Sequence, residues 1–294
     1  MPWERRSYDL PDGKMSAVHF GRTSNPLKLV FLHATGFNAY AYKTLLEPLG
    51  VHAVALDMRG HGLSELPTDP KGFKNWHSLR NDISYFLDHY TQKPVVIAGH
   101  SSGAVVSVLT AAQSPKKVSG VLAFDPPTMP WPVRIMPYIP GGLAYTGRRF
   151  PIAYKASKRR AIFPDLEFAF QRYKGRGTFK GVSDEALRDY LIGGLKPHTD
   201  GMELACSPSW EQAMFIAQGH NIFKAAKSYS GPIKFIYARQ SGVSTKGTRR
   251  AIARAVGAAN VDYRKDFAHF FPFHESEFTQ NEITNMIKRV SLAI

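Results

Sequence analysis

Short, unbroken apolar runs separated by helical stretches constrain this chain more than any other feature. Residues 27–32, 51–56, 94–98, 118–124 and 233–238 are rich in Val, Ile and Leu, and most end at Gly, Asp, His or Pro. A strand without apolar–polar alternation is buried on both faces, and such strands belong to mostly parallel sheets. Between the runs the period changes. Residues 75–90 place Trp76, Leu79, Ile83, Phe86 and Leu87 at helical spacing, residues 102–113 are rich in Ala and Val, and residues 246–256 and 275–290 also read as helices. This alternation predicts an α/β fold with a doubly wound, mostly parallel sheet. It lapses after Phe124. From about Thr128 to Trp210 a Pro-rich lead gives way to mixed helical stretches without a strong strand, and the alternation resumes near Phe215. The expected organisation is a core in two parts, 1–127 and 213–294, with a helical cap inserted over 128–212.

A chain of 294 residues with 44% apolar side chains suits one large α/β domain with a modest insertion. The first ten residues are polar and charged, and no run approaches the roughly 18 apolar residues of a membrane span. The expectation is a cytoplasmic protein with no membrane span. Cys206 is the single cysteine, so an internal disulfide and a CxxC metal site are both excluded, and it reads as an inert, partly buried thiol. The net charge of +15 is uneven. Between Arg148 and Lys196 twelve basic residues face five acidic ones, a net +7. No motif of interleaved stacking aromatics accompanies this charge, so it reads as a solvated basic surface and nucleic acid is not an expected partner. The oligomeric state stays open.

The most specific local signal is Gly99-His100-Ser101-Ser102-Gly103, which follows the apolar run 94–98 and precedes the Ala/Val helix. This is the strand–turn–helix setting of the G-x-S-x-G nucleophile elbow. In so tight a turn the nucleophile sits in strained backbone geometry, and side chains at the flanking glycine positions would collide. The serine oxygen is held at the carboxyl edge of the sheet, beside helical N–H groups that favour negative charge.

Two further segments carry a family resemblance. His33-Ala34-Thr35-Gly36-Phe37 follows one apolar strand, and Asp57-Met58-Arg59-Gly60-His61-Gly62-Leu63-Ser64 follows the next. With the elbow, their order and spacing resemble the α/β-hydrolase superfamily, in its serine esterase-like branch with a cap. The resemblance implies a central mostly parallel sheet with a lid inserted after the sixth strand, and it implies no cofactor and no metal. Related enzymes with an aspartate nucleophile, the epoxide hydrolases and haloalkane dehalogenases, carry Asp where this chain has Ser101. The resemblance also implies an oxyanion hole from the N–H of Ser102 and, by position in a His-Gly-X pattern that here reads His33-Ala34-Thr35, the N–H of Thr35. His33 itself, and the Asp57–Ser64 segment with its Asp, Arg and His, read as structural.

A serine hydroxyl needs a base. Ala268-His269-Phe270 follows the expected last strand, 261–264, and resembles the family's Gly-His-Phe loop, so His269 is the candidate; His274 is the competitor. The acid is irregular. The family commonly places it as Gly-x-x-Asp after the strand 233–238, but here the sequence is Ala238-Arg239-Gln240-Ser241. Asp125, at the end of the strand 118–124 and before Pro126-Pro127, is the expected replacement, with Asp266 a weaker candidate.

The activity implied is hydrolysis of a carboxylic ester of a small or medium, apolar substrate through an acyl-enzyme on Ser101. The alternatives are a lactone or C–C bond hydrolase with the same triad, for which the basic cap would favour an anionic substrate, or a non-catalytic hydrolase-like binding protein. Trp131, Met136, Tyr138, Phe168, Phe170 and Trp210 are the expected apolar contacts to a small-molecule substrate, or else the cap's own core.

Overall fold

The computed structural model describes residues 3–240 and 242–292. Its strands are β1 (Trp3–Leu10), β2 (Gly13–Phe20), β3 (Leu29–Leu32), β4 (Ala53–Leu56), β5 (Val95–His100), β6 (Val118–Phe124), β7 (Ile162–Phe163), β8 (Leu195–His198), β9 (Gly201–Leu204), β10 (Ile233–Ala238) and β11 (Val261–Arg264). Its helices are α1 (Lys43–Leu46), α2 (His77–Tyr90), α3 (Ser102–Gln113), α4 (Trp131–Ile135), α5 (Gly142–Arg149), α6 (Pro151–Ser157), α7 (Leu166–Tyr173), α8 (Asp184–Gly194), α9 (Pro208–Ile216), α10 (Ile222–Ser228), α11 (Lys246–Val256), α12 (Phe271–His274) and α13 (Ser276–Ser291).

The main sheet runs β1-β2-β4-β3-β5-β6-β10-β11. Every pairing from β4 to β11 is parallel, and only the β1–β2 hairpin and the β2–β4 junction are antiparallel. The apolar runs form the interior strands because each strand feeds two cores. Val30, Leu32, Val54, Leu56 and Ile97 meet α2, α3 and α10 on one face. Leu29, Phe31, Ala53, Ala55 and Val96 meet Ile283, Met286 and Val290 of α13 on the other. A sheet covered on both sides has no solvated face, which is why alternation is absent from its strands.

Two features depart from the sequence reading. The β1–β2 hairpin was not expected, because β1 carries Glu4, Arg5 and Arg6 and is only partly buried at the sheet's edge. The excursion between β6 and β10 is not purely helical. It contains an antiparallel three-stranded sheet, β7-β9-β8, whose short strands include Pro197 and give no apolar run.

The Asp57–Ser64 segment is a structural turn. The buried Asp57 carboxylate accepts from the N–H groups of Ala39 and Leu63 and from Arg5. Arg59, nearly buried, donates from Nε and Nη2 to the two oxygens of Asp82, at 2.9 and 2.7 Å, and from Nη1 to the Pro67 carbonyl. Removing one partner of such a pair leaves a buried charge uncompensated. Arg59→Met is therefore expected to destabilise the fold by about 3–5 kcal/mol, read as a lowered midpoint in chemical denaturation.

Candidate active site

Ser101, Asp125 and His269 meet at the carboxyl ends of β5, β6 and β11. Ser101 has φ 56° and ψ −117°, and Asp125 has φ 46°; among the described residues they are the only non-glycines with positive φ. Strain of this kind persists only where the surroundings enforce it. Here tight packing does so. A Cβ on Gly99 would lie 2.3 Å from the Gly103 carbonyl carbon, and one on Gly103 would lie 2.1 Å from the Leu32 carbonyl oxygen. The Ser101 N–H donates to the Phe124 carbonyl at 2.9 Å, and the Asp125 N–H donates to the Ile236 carbonyl at 2.7 Å, so both turns are fastened to the neighbouring strand.

His269 bridges the two. Its Nε2 accepts from the Ser101 hydroxyl at 3.1 Å, and its Nδ1–H donates to Asp125 Oδ2 at 2.7 Å. Asp125 is fully buried, and its second oxygen accepts the Ala238 N–H at 3.1 Å. The residue in the family's usual acid position, Ser241, lies outside the described residues. His274 is exposed on α12 and Asp266 is exposed before the His269 loop, so neither competes.

A further chain of hydrogen bonds, not anticipated from sequence, holds the backbone of His269. The buried His100 donates from Nε2 to the His269 carbonyl at 2.9 Å and accepts at Nδ1 from the Tyr42 hydroxyl at 2.8 Å. Tyr42 in turn accepts the Ala34 N–H at 3.2 Å. Burial drives His100 well below the usual histidine range, which keeps it neutral and suits one donor and one acceptor. The available signal was a histidine inside an elbow whose neighbours are all small.

The loop after β3 is held by two more neutral histidines. His33 donates to the Ala34 carbonyl and accepts the Met58 N–H. His61 donates to the Arg59 carbonyl and accepts the Gly36 N–H. These bonds, with Phe37 N–H to the Ala34 carbonyl, commit the amides of Ala34, Gly36 and Phe37. Thr35 lies between them on the wall of the site, as does Ser102 at the first turn of α3. Both expected oxyanion donors therefore line the same cavity as Ser101. Cys206 is buried, and burial pushes its thiol well up, so it stays protonated.

Ser101 and His269 open into a cavity of about 750 Å³. Its wall is mostly apolar: Phe37 and Phe270 beside the elbow, Met129 after β6, and Phe150, Ile152 and Phe215 from the excursion. Lys155, Arg159 and Arg176 are its basic members, and Arg159 is paired with Glu211 at 2.6 Å and with the hydroxyls of Tyr173 and Tyr190. None of the apolar contacts expected from sequence lines this cavity. Trp210 is buried, its Nε1–H donating to the Arg59 carbonyl and its ring against Phe73. Trp131 is exposed in a separate shallow groove with Arg134 and Phe223. Tyr138 is exposed, its hydroxyl tied to Gly219 and Asn75, and Met136 lies half-buried in the same turn. Phe168 lies on the outer face of α7 under Arg160, and Phe170 is buried beneath Arg188. Aromatic content alone did not separate cavity wall from core or surface. Phe37 and Phe270, which do line the wall, were not among the expected contacts; their place inside the His33–Phe37 and Ala268–Pro272 segments is the signal that could have found them.

With this geometry in place the family is defined. The model of the alpha/beta hydrolase family matches residues 29–217, and the chain belongs to that family. It is 25% identical over 269 residues to 2-(acetamidomethylene)succinate hydrolase of Mesorhizobium japonicum, spanning 90% of this chain and 88% of that one. A crystal structure of E-2-(acetamidomethylene)succinate hydrolase superposes with a TM-score of 0.81 at 20% identity, covering 97% of this chain and 99% of that one. The chain is also 22% identical over 275 residues to an sn-1-specific diacylglycerol lipase of Danio rerio, over 90% of this chain and 76% of that one. These relatives are hydrolases. Among the described residues no helix is long and apolar enough to cross a membrane, and no group of side chains has the makings of a metal site.

The neutral histidines make stability depend on pH. Burial lowers His33 from 6.5 to about 4 and His61 from 6.5 to about 3. Below 6.5 the unfolded chain binds protons that the folded chain refuses, so stability falls as pH drops from 6.5 towards about 4. The melting temperature is expected to fall steadily over that range; a flat profile would contradict the neutral, hydrogen-bonded arrangement.

Proposed function

We propose that this protein is a cofactor-free serine hydrolase that cleaves a carboxylic ester of a small or medium, mainly apolar substrate. One observation carries the reading: His269 lies within hydrogen-bond reach of both Ser101 and Asp125 at the floor of an apolar cavity. His269 takes the Ser101 proton as the oxygen attacks the acyl carbon, and Asp125 fixes the tautomer and stabilises the imidazolium. The amides of Thr35 and Ser102 receive the oxyanion. His269 then returns its proton to the leaving alcohol, and water repeats the sequence on the acyl-enzyme. Residues 128–212 act as the cap and contribute Met129, Phe150 and Ile152 to the cavity's apolar wall, and the protein works in the cytoplasm. The diacylglycerol lipase among the relatives supports ester chemistry by its name.

A fluorophosphonate probe should label wild-type protein on the peptide containing Ser101 and leave folded Ser101→Ala unlabelled. Silence in a folded wild-type sample would end the reading. A turnover screen across ester chain lengths, lactones and diketone acids then identifies the bond. Asp125→Asn should lower kcat by on the order of 10³–10⁴-fold while leaving the melting temperature within a few degrees. Near-normal turnover would remove Asp125 from the mechanism.

A further inference from the structure

The excursion carries an exposed apolar surface that, Ile152 apart, lies outside the cavity wall. More than half of the large apolar side chains exposed among the described residues fall between Trp131 and Tyr154, less than a tenth of the chain. Trp131 is 65% exposed and Tyr145 is 58% exposed, and Ile135, Ile139, Ile152 and Tyr154 accompany them. Their exposure follows from an inverted helix pattern. The buried positions of α5 and α6 are Gly142, Gly147, Ala153 and Ala156, so the small residues face inward and the large ones face water. An exposed patch of this kind marks an interaction surface.

Charge identifies what it meets. Between Asp125 and Asp165 the sequence holds no acidic residue and seven basic ones: Arg134, Arg148, Arg149, Lys155, Lys158, Arg159 and Arg160. Arg159 pairs with Glu211, whereas among the described residues Arg148, Arg149, Lys155 and Lys158 make no ion pair. Along the segment the cations alternate with Trp, Tyr and Ile, and Arg149 and Lys158 lie over the rings of Tyr145 and Tyr154. Exposed Trp and Tyr mixed with unopposed Lys and Arg is the composition of a surface that seats at a lipid headgroup boundary. The same segment reaches the cavity wall through Phe150, Ile152 and Lys155.

We infer that the α4–α6 face docks on an anionic lipid bilayer, with Trp131, Ile135, Ile139 and Tyr145 entering the interface and Arg148 and Arg149 meeting the headgroups. The inference concerns binding alone and holds for a Ser101→Ala variant.

The test is co-sedimentation of the full chain with vesicles of phosphatidylcholine alone and of phosphatidylcholine mixed with phosphatidylglycerol. Binding to the mixed vesicles is expected, much weaker binding to the neutral ones, and release at high salt. Each basic residue near such a surface is worth roughly a fivefold change in partitioning. Arg148→Glu with Arg149→Glu should therefore lower it at least about tenfold, and Trp131→Ser with Tyr145→Ser should lower it comparably at an unchanged melting temperature. Trp76 and Trp210 are buried and Trp3 is half-buried against Tyr40, so an emission blue shift on binding that vanishes in Trp131→Phe while sedimentation persists is assigned to Trp131. Absent or charge-independent vesicle binding overturns the inference. A concentration-dependent dimer that shields Trp131 from a soluble quencher, without vesicle binding, assigns the face to a second copy and overturns it equally.

Discussion

The hydrogen bond from His269 Nδ1 to Asp125 Oδ2 is the constraint on which the site depends. It spans 2.7 Å and ends on a carboxylate with no solvent exposure. A buried carboxylate must be satisfied on both oxygens, and here the imidazole and the Ala238 amide do so. The bond ties the end of β6 to the loop after β11, across β10. It also leaves Nε2 facing the Ser101 hydroxyl. The imidazole is held through its ring by Asp125 and through its backbone carbonyl by His100.

The same economy recurs in the loop after β3. His33, His61 and His100 are all neutral, and each uses one nitrogen as donor and the other as acceptor. A buried imidazole can do this without an ion, which spares the site competing charge. The cost is acid sensitivity, because each of these groups is a base waiting for a proton once the chain opens.

Much of the fold was legible because buried parallel strands leave continuous apolar runs: residues 118–124 and 233–238 became β6 and β10 without adjustment, and 102–113 and 246–256 became α3 and α11. The edge hairpin was not, because a half-solvated strand such as β1 spreads its charges along the sequence. In the site, the elbow was read from its strand–turn–helix motif and His269 from the family resemblance, and the structure brings the two within hydrogen-bond distance. Asp125 was a candidate through the same resemblance, once Ser241 stood in the usual place of the acid, and the structure sets it beside His269. The cavity wall was the least legible part. Whether Trp210 lines a cavity or supports the Arg59 turn depends on helix orientation, which periodicity does not encode, and His100 becomes a tether only when Tyr42 arrives from a distant element.

Placing the proposed acid on β6 has a consequence for the loop that follows β10. Gly242, Ser244 and Thr245 of that loop wall the cavity, and Ser244 is fastened to Pro126 and Thr128 beside the Asp125 turn. On that proposal the loop is free of proton chemistry, and beyond holding the Asp125 turn through Ser244 it answers to the shape of what enters. Its length and side chains are open to variation under selection for a new ligand, while the reacting groups on the neighbouring strands stay where they are.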